Sequence, residues 1–232
     1  MHSRAANETK SPQGHGSYGQ TDLLDRINER SAVKPILIVV VARKHNKRFP
    51  GKHEEILAGH LVIYYALEFA YELWRDLRDA DFDVQAVFSS DLEYIGTLRK
   101  LRRPASLARD DTTLTDVLRH VCEEMHFDDG WIVLLQGNVP VRSRASVLEA
   151  LMLAADGFDA VYTSYNGRPN GGVYVLNRRR LDRQEHDDVF FNNAIAIPEY
   201  RWETVELDWP EDLERAKLAM FLQPLARPES EA

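Results

Sequence analysis

Apolar and polar positions follow two different periods along this chain, and segments of the two periods alternate. Residues 35–42 (PILIVVVA) form an unbroken apolar run rich in β-branched residues, which is typical of a strand buried on both faces of a parallel sheet. Residues 56–77 instead repeat apolar positions at helical spacing. Strands are further predicted at 81–90, 131–136, 160–163 and 172–176, helices at 94–101, 114–125 and 146–155, and a last strand and helix within 205–221.

Strands that alternate with helices predict an α/β domain whose mostly parallel sheet is covered on both faces. In such a sheet, ligands bind outside the carboxyl ends of the strands. The predicted domain covers residues 34–223. Residues 1–33 are predicted to be a disordered leader with one short helical stripe at Leu23, Leu24 and Ile27, and residues 224–232 a flexible tail.

Composition and charge narrow the classes of function. The chain has 232 residues, near the size of one α/β domain, and its net charge of −8 argues against a protein that tracks nucleic acid or coats an anionic membrane. The single cysteine, Cys122, excludes a disulfide framework and fits a reducing compartment. Because no apolar run reaches about 18 residues, we expect a soluble, cytoplasmic protein.

A dense basic segment directly follows the first predicted strand. Residues 43–53 (RKHNKRFPGKH) hold five Lys or Arg residues and no acid, in a chain with only 29 basic residues in total. Pro50 and Gly51 predict a turn there, so the charges are presented at the carboxyl end of a strand, where they can bind a polyphosphate. The alternative interpretation is a solvated basic loop.

Two acidic residues also follow predicted strands. Asp91 closes residues 89–91 (SSD), and Asp208 lies in residues 207–212 (LDWPED). Two isolated carboxylates at one sheet edge can hold a single Mg²⁺ on a triphosphate, because this ion takes one or two protein carboxylates and leaves its other positions to phosphate and water. Alternatively, each aspartate caps a following helix.

Seven segments in a fixed order resemble one known family. They are residues 42–52 (ARKHNKRFPGK), 57–70 (LAGHLVIYYALEFA), 89–91 (SSD), 103–113 (RPASLARDDTT), 134–142 (LLQGNVPVR), 170–175 (NGGVYV) and 207–216 (LDWPEDLERA). Together they resemble the acylneuraminate cytidylyltransferases, the CMP-sialic acid and CMP-KDO synthetase group. The resemblance implies a Rossmann-like, GT-A-like nucleotidyltransferase fold of three layers. It also implies Mg²⁺, transfer of CMP from CTP to an acidic sugar with release of pyrophosphate, and usually a homodimer.

The resemblance assigns roles to particular residues. It implies that catalysis rests on Arg43, Lys52, Asp91 and Asp208, with the two aspartates holding the metal. Residues of the family's sugar-binding region are matched by Gln136, Arg142 and Asn170. Residues implied to bind the nucleotide are Arg43, Lys47, Arg48, Lys52, Arg103, Asp110, Thr112 and Gln136.

Departures from the family pattern leave other functions open. Lys44, His45 and Asn46 stand where the family has small residues that let backbone N–H groups approach a phosphate. A short segment, 164–169, also replaces a much longer one. The alternatives are a catalytically degenerate homologue that acts as a nucleotide-binding or scaffold module, and a nucleotidyltransferase with another base or acceptor.

Overall fold

The unbroken apolar run forms strand β1 (Ile36–Val41) inside a seven-stranded sheet. The computed structural model of the protein describes residues 24, 27, 34–93, 96–183 and 193–222. The other strands of this sheet are β4 (Val84–Ser90), β5 (Arg99–Arg102), β6 (Trp131–Gln136), β7 (Ala160–Tyr165), β8 (Arg168–Asn177) and β9 (Ala194–Pro198). Two short strands, β2 (Ile56–Leu57) and β3 (His60–Leu61), pair with each other in a separate hairpin.

The sheet is mostly parallel, as the alternation of strands and helices predicts. Its order is β5-β4-β1-β6-β8-β7-β9, and only β8 runs antiparallel to its neighbours. The last residue of β1, Val41, pairs with Ser89 of β4 on one side and with Gln136 of β6 on the other. Three carboxyl ends therefore lie side by side at one edge of the sheet.

Helices cover both faces of this sheet, which gives a three-layer α/β/α architecture. Alternate residues of β1 are buried on opposite faces of the sheet. Ile36, Ile38 and Val40 belong to the core on the first face, and Leu37, Val39 and Val41 belong to the core on the second. This alternation follows from the two-residue period of a strand. The helices are α1 (Val62–Asp79) and α3 (Arg144–Ala155) on the first face, α2 (Leu114–Met125) and α4 (Arg178–Leu181) on the second, and α5 (Asp212–Leu222) beside the hairpin; a 3₁₀ turn covers Ala105–Leu107.

Side-chain hydroxyl groups cap the start of two of the helices. The Thr113 hydroxyl accepts a hydrogen bond from the Asp116 backbone N–H at 3.1 Å, and the Ser143 hydroxyl accepts one from the Ser146 N–H at 3.2 Å. Such caps satisfy an N–H group that has no partner within the helix, and each contributes about 1 kcal/mol. The predicted helices at 114–125 and 146–155 are confirmed, the second with a start two residues earlier.

Three predicted elements are wrong in type or extent. The helix predicted at 94–101 is not formed, because residues 99–102 are strand β5, which supplies hydrogen-bond partners along the outer edge of β4. Residues 56–61 are not helical, since Ala58 and Gly59 both have positive φ and form the turn between β2 and β3. The strand predicted near Val205 is not formed, and Val205 makes one isolated bridge to Val141. Strand β9, which was not predicted, forms an edge of the sheet.

Part of the chain before residue 34 packs on the domain. Leu24 and Ile27 are helical, and Ile27 is buried in the core that faces α1. The rest of the predicted leader and residues 224–232 lie outside the described residues, so the predicted limits at 34 and 223 stay predictions. None of the helices in the described ranges is long and apolar enough to cross a membrane.

Candidate functional site

The basic segment leaves β1 at the edge where three strands end, and its fold is fixed by local contacts. Phe49 is buried beneath it, and Gly51 has a φ of +74° in the turn that the sequence predicted. The Asn46 amide donates to the Arg43 carbonyl at 2.9 Å. The segment is therefore a folded loop that presents its charges along one rim. It is not the freely solvated loop that was the alternative interpretation.

Two carboxylates hold four of the five basic side chains of this segment. Asp110 Oδ1 lies 3.2 Å from an Arg43 nitrogen, and Asp110 Oδ2 lies 2.7 Å from Lys47 Nζ. Asp208 binds the other two, with Oδ2 at 2.9 Å from Arg48 Nη1 and Oδ1 at 3.2 Å from Lys52 Nζ. The chain thus offsets part of the positive charge of its basic loop with acids from two distant segments.

A cleft of about 280 Å³, here named the central cleft, opens beside this loop. It lies at the carboxyl ends of β1 and β6, where a ligand site is expected in an open α/β sheet. Most of the residues predicted to bind a nucleotide line it: Arg43, Lys52, Arg103, Asp110, Thr112 and Gln136. Asp208, predicted to hold the metal, lines it too. Lys47 and Arg48 lie at its rim, held by Asp110 and Asp208.

Asp91 lies in a neighbouring space and not in the central cleft. Its Oδ1 accepts a hydrogen bond from the Lys44 N–H at 2.7 Å, and it lines a side cavity of about 700 Å³. Arg103 lines both spaces. The structure therefore places Asp91 and Asp208 against the same basic loop but in different cavities.

Neither aspartate makes the helix cap that was the alternative interpretation. No described helix follows Asp91 within its own loop. Near α5, the Asp212 carboxylate accepts hydrogen bonds from the backbone N–H groups of Asp208 and Trp209, at 2.9 Å in both cases. The carboxylate of Asp208 is left to face Arg48 and Lys52.

Arg103 is a buried cation beside the cleft. Its Nη2 donates to the Ser89 carbonyl at 3.1 Å, and its backbone N–H donates to the Ser90 carbonyl at 3.0 Å. Burial lowers its pKa to about 10, so the guanidinium remains charged at pH 7. It therefore supplies a fixed positive charge at the junction of the central cleft and the side cavity.

Sequence reasoning missed several polar residues that line the cleft, among them His53, Arg109, Asn138 and Glu206. Glu206 is close to Asp208, and burial, followed by the charge of Asp208, raises its pKa. The Asn138 amide donates to Glu206 Oε1 at 3.3 Å and to the Leu207 carbonyl at 3.2 Å. The spacing of Glu206 and Asp208 was the available signal, because residues i and i+2 of an extended segment share a face.

His53 is buried in the wall of the central cleft, at 3% exposure. Burial, followed by the charge of Lys52, lowers its pKa to about 4, so the imidazole is neutral at pH 7. Its Nδ1 has no hydrogen-bond partner in the described part of the chain. This side chain adds a polar but uncharged group to a strongly charged cleft.

An outer cavity of about 650 Å³ adjoins the central cleft and shares Glu206 and Asp208 with it. Asn170, predicted to bind a sugar, lines it. So do Arg168 and Arg201, both exposed, and neither has an ion-pair partner among the residues described. This cavity therefore offers two uncommitted guanidinium groups, unlike the paired cations of the basic loop.

Arg142 lies in none of these cavities. Its Nε donates to the Gly172 carbonyl at 3.2 Å and its Nη2 to the Gln136 carbonyl at 2.7 Å, and the side chain is buried. Burial lowers its pKa to about 9. Arg142 thus ties the end of β6 to β8, and the structure does not bring it together with Gln136 and Asn170 at a ligand surface.

The donor set of the central cleft fits a hard divalent cation on oxygen ligands. Glu206 and Asp208 both line it, and Mg²⁺ needs only one or two protein carboxylates when phosphate oxygens complete its shell. No group of three or more His, Cys, Asp or Glu residues in the described ranges can hold a metal without such a ligand. A metal would therefore bind here together with an anionic ligand.

Neither a family model nor a curated protein matches this sequence. Solved structures share its fold, at identities that establish the fold alone. CMP:2-keto-3-deoxy-manno-octonic acid synthetase complexed with CTP has a TM-score of 0.58 and 15% identity over 81% of this chain and 98% of its own.

Two further structures have comparable similarity. A cytidylyltransferase from Leptospira borgpetersenii has a TM-score of 0.58 and 15% identity, over 79% of this chain and 85% of its own. Rv0371c from Mycobacterium tuberculosis, in complex with manganese, has a TM-score of 0.53 and 15% identity, over 79% of this chain and 98% of its own.

Proposed function

We propose that this protein is a nucleotidyltransferase that transfers CMP from CTP to an acidic sugar and releases pyrophosphate. The observation that carries the proposal is the convergence of four loop cations and two carboxylates at the carboxyl edge of a parallel sheet. Cations on a folded loop form charge-assisted hydrogen bonds to phosphate oxygens. The choice of CTP rests on the sequence resemblance and on neighbours of the same fold that are described as cytidylyltransferases or as bound to CTP.

Residues of the central cleft fit the triphosphate. Arg43, Lys47, Arg48 and Lys52 would contact its phosphates, and Gln136 and Arg103 would face the nucleoside. Asp208 and Glu206 would hold Mg²⁺, which when bound offsets phosphate charge and polarises the phosphorus–oxygen bonds. Asp91, which lines the side cavity, remains a predicted metal ligand, and the loop would have to move for it to share a metal with Asp208.

The outer cavity fits the acceptor. It meets the central cleft at Glu206 and Asp208, where the α-phosphorus would lie, and Arg168 and Arg201 can bind a carboxylate. An acceptor hydroxyl oxygen then forms a bond to the α-phosphorus in line with the departing pyrophosphate oxygen, and its proton passes to solvent. Catalysis of this kind rests on positioning and charge and needs no covalent nucleophile.

A second candidate is a non-catalytic module that binds a nucleotide. The observation in its favour is that Asp110 and Asp208 already pair the four loop cations, beside the bulky Lys44, His45 and Asn46. It predicts nucleotide binding without pyrophosphate release.

The test has two stages. Thermal shifts with each of the four nucleoside triphosphates, with and without Mg²⁺, should show the largest stabilisation with CTP and Mg²⁺, because a ligand that binds the native state stabilises it. Pyrophosphate release from CTP should then appear with a member of a panel of acidic sugars. Asp208→Asn should abolish release, whereas the exposed control Glu211→Gln should not.

The outcomes separate the candidates. Stabilisation by CTP without release over the whole panel favours the non-catalytic module, and no stabilisation by any triphosphate overturns both. Release with a different triphosphate supports transfer with another base. The homodimer and the cytoplasmic location implied above stay predictions, and light scattering tests the former.

A further inference from the structure

Asp110 occupies an unusual place in the central cleft, because it puts a carboxylate where an anionic ligand would be expected. It lies in the turn between the 3₁₀ segment and α2, and its side chain lines the cleft. Its two oxygens contact two different cations, Arg43 at 3.2 Å and Lys47 at 2.7 Å. This is the geometry in which two cations share one anionic group of a ligand.

The turn around Asp110 is held in place from several sides. The Arg43 guanidinium also donates to the Arg109 carbonyl at 3.0 Å, and the Thr112 hydroxyl donates to the Ser106 carbonyl at 3.2 Å. The Thr113 cap then begins α2. A hydrogen bond from Lys47 is the largest cause that lowers the Asp110 pKa, so the carboxylate is ionised at pH 7.

The other acid that pairs the loop has different partners. Lys52, which contacts Asp208, also donates to the Leu207 carbonyl at 2.9 Å, so this lysine keeps a partner when Asp208 binds something else. Arg43 and Lys47 share Asp110 as their only ion-pair partner among the described residues. Removal of the Asp110 charge therefore leaves Arg43 in the cleft and Lys47 at its rim without their ion-pair partner.

We propose that Asp110 is a built-in competitor for the polyphosphate site: its carboxylate binds Arg43 and Lys47 in place of a phosphate, and a polyphosphate must displace it. The inference rests on the proposed function only in placing phosphates on the basic loop. The sequence resemblance implies that Asp110 helps to bind the nucleotide. Under this proposal Asp110 instead weakens nucleotide binding. The residue thereby sets the concentration of polyphosphate at which the cleft fills.

Inorganic tripolyphosphate, without metal, is the probe, and isothermal titration calorimetry measures its dissociation constant. Asp110→Asn should bind it at least about fivefold more tightly than the unaltered chain, because the phosphates then no longer compete with a carboxylate for Arg43 and Lys47, and one negative charge that repels them is removed.

The matched control is Asp79→Asn. It makes the same charge change at an exposed side chain at the end of α1, which lines none of the cavities described above. Its affinity should stay within about twofold of the unaltered chain, since salt screens a charge that lies outside the cleft. Adding Lys47→Gln to Asp110→Asn should remove most of the gain.

Equal affinities for the two aspartate variants, or weaker binding by Asp110→Asn, would overturn the proposal. Circular dichroism establishes that each variant is folded, and Asp110→Ser serves as a second test if the asparagine variant is not. Tripolyphosphate carries neither base nor acceptor, so failure to detect pyrophosphate release from CTP leaves this result unaffected. Conversely, equal binding of tripolyphosphate by the two aspartate variants would overturn this proposal even if the protein releases pyrophosphate from CTP.

Discussion

Lys52 and Asp208 meet although 156 residues separate them: the lysine Nζ lies 3.2 Å from the aspartate Oδ1 and donates to the neighbouring Leu207 carbonyl at 2.9 Å. Leu207 belongs to a small core with Leu57, Val62 and Ala216. The contact therefore ties the basic loop to the segment that leads into α5. Lys52 therefore contributes both to the shape of the central cleft and to its charge.

Lys52→Met should lower the free energy of unfolding by about 1–2 kcal/mol, because the buried Leu207 carbonyl loses its lysine donor. It should also weaken CTP binding. Urea denaturation and calorimetry measure the two effects. Lys44→Met, at an exposed residue of the same loop, is the control and should change stability by less than about 0.5 kcal/mol. Equal losses in both variants would contradict the role of the buried contact.

Glu199→Gln should be strongly destabilising. The Glu199 carboxylate is buried and accepts hydrogen bonds from Ser146 at 2.5 Å and from Asn170 and Thr204 at 2.7 Å each. Glutamine keeps one accepting oxygen for three donors, so its NH₂ group either faces the Asn170 amide or requires the Ser146 hydroxyl to turn and accept; we expect a loss of about 1–3 kcal/mol in urea denaturation. The exposed control Glu211→Gln should be close to neutral, and an equally small effect at Glu199 would contradict the network.

His53→Gln should change how stability depends on pH. In the folded protein burial lowers the His53 pKa to about 4, from 6.5 in the unfolded chain. Below pH 6.5 the unfolded state takes up a proton that the folded state excludes, so this contribution to stability is lost between pH 6.5 and 4.

The loss at the acid limit is on the order of 3 kcal/mol. Urea denaturation at several pH values should therefore show a shallower acid decline for His53→Gln than for the unaltered chain. Parallel curves would indicate that His53 titrates normally in the folded state.

Two glycines with the same backbone conformation should respond differently to alanine. Gly167 and Gly171 have φ values of +72° and +75°, but a Cβ at Gly167 meets nothing within 4 Å, whereas one at Gly171 would lie 2.9 Å from the Glu206 carboxylate. Both substitutions cost about 1–2 kcal/mol for the left-handed conformation. Gly171→Ala should cost more and also weaken CTP binding, since it displaces Glu206. Identical stabilities, measured by urea denaturation, would argue against this contact.

Arg201→Gln should raise the KM for an acidic acceptor at least about fivefold, because a charge-assisted hydrogen bond is lost. The KM for CTP should hardly change, since Arg201 lines only the outer cavity among the spaces described. Steady-state pyrophosphate release measures both constants. Arg183→Gln, an exposed substitution outside both cavities, is the control. A parallel rise in the two constants would place Arg201 at the nucleotide instead.

Long, strongly patterned segments were predictable from the sequence, and short edge elements were not. The apolar run of β1 fits only a strand buried on both faces, and the helical spacing after residue 62 continues for 18 residues as α1. In contrast, residues 99–102 (RKLR) hold a single apolar residue, and they form β5 because β4 has an open edge to pair with. Such pairing is set by a neighbour and not by the segment itself.

The sequence by itself determined the layered fold and the position of the basic loop, because period, β-branching and a Pro-Gly turn act over a few residues. Only the tertiary structure decided which charges meet. It gave Arg43 and Lys47 to Asp110, Arg48 and Lys52 to Asp208, and left Asp91 in another cavity. These partners lie far apart along the chain, and charge interactions depend on distance through space, which spacing in a sequence does not record.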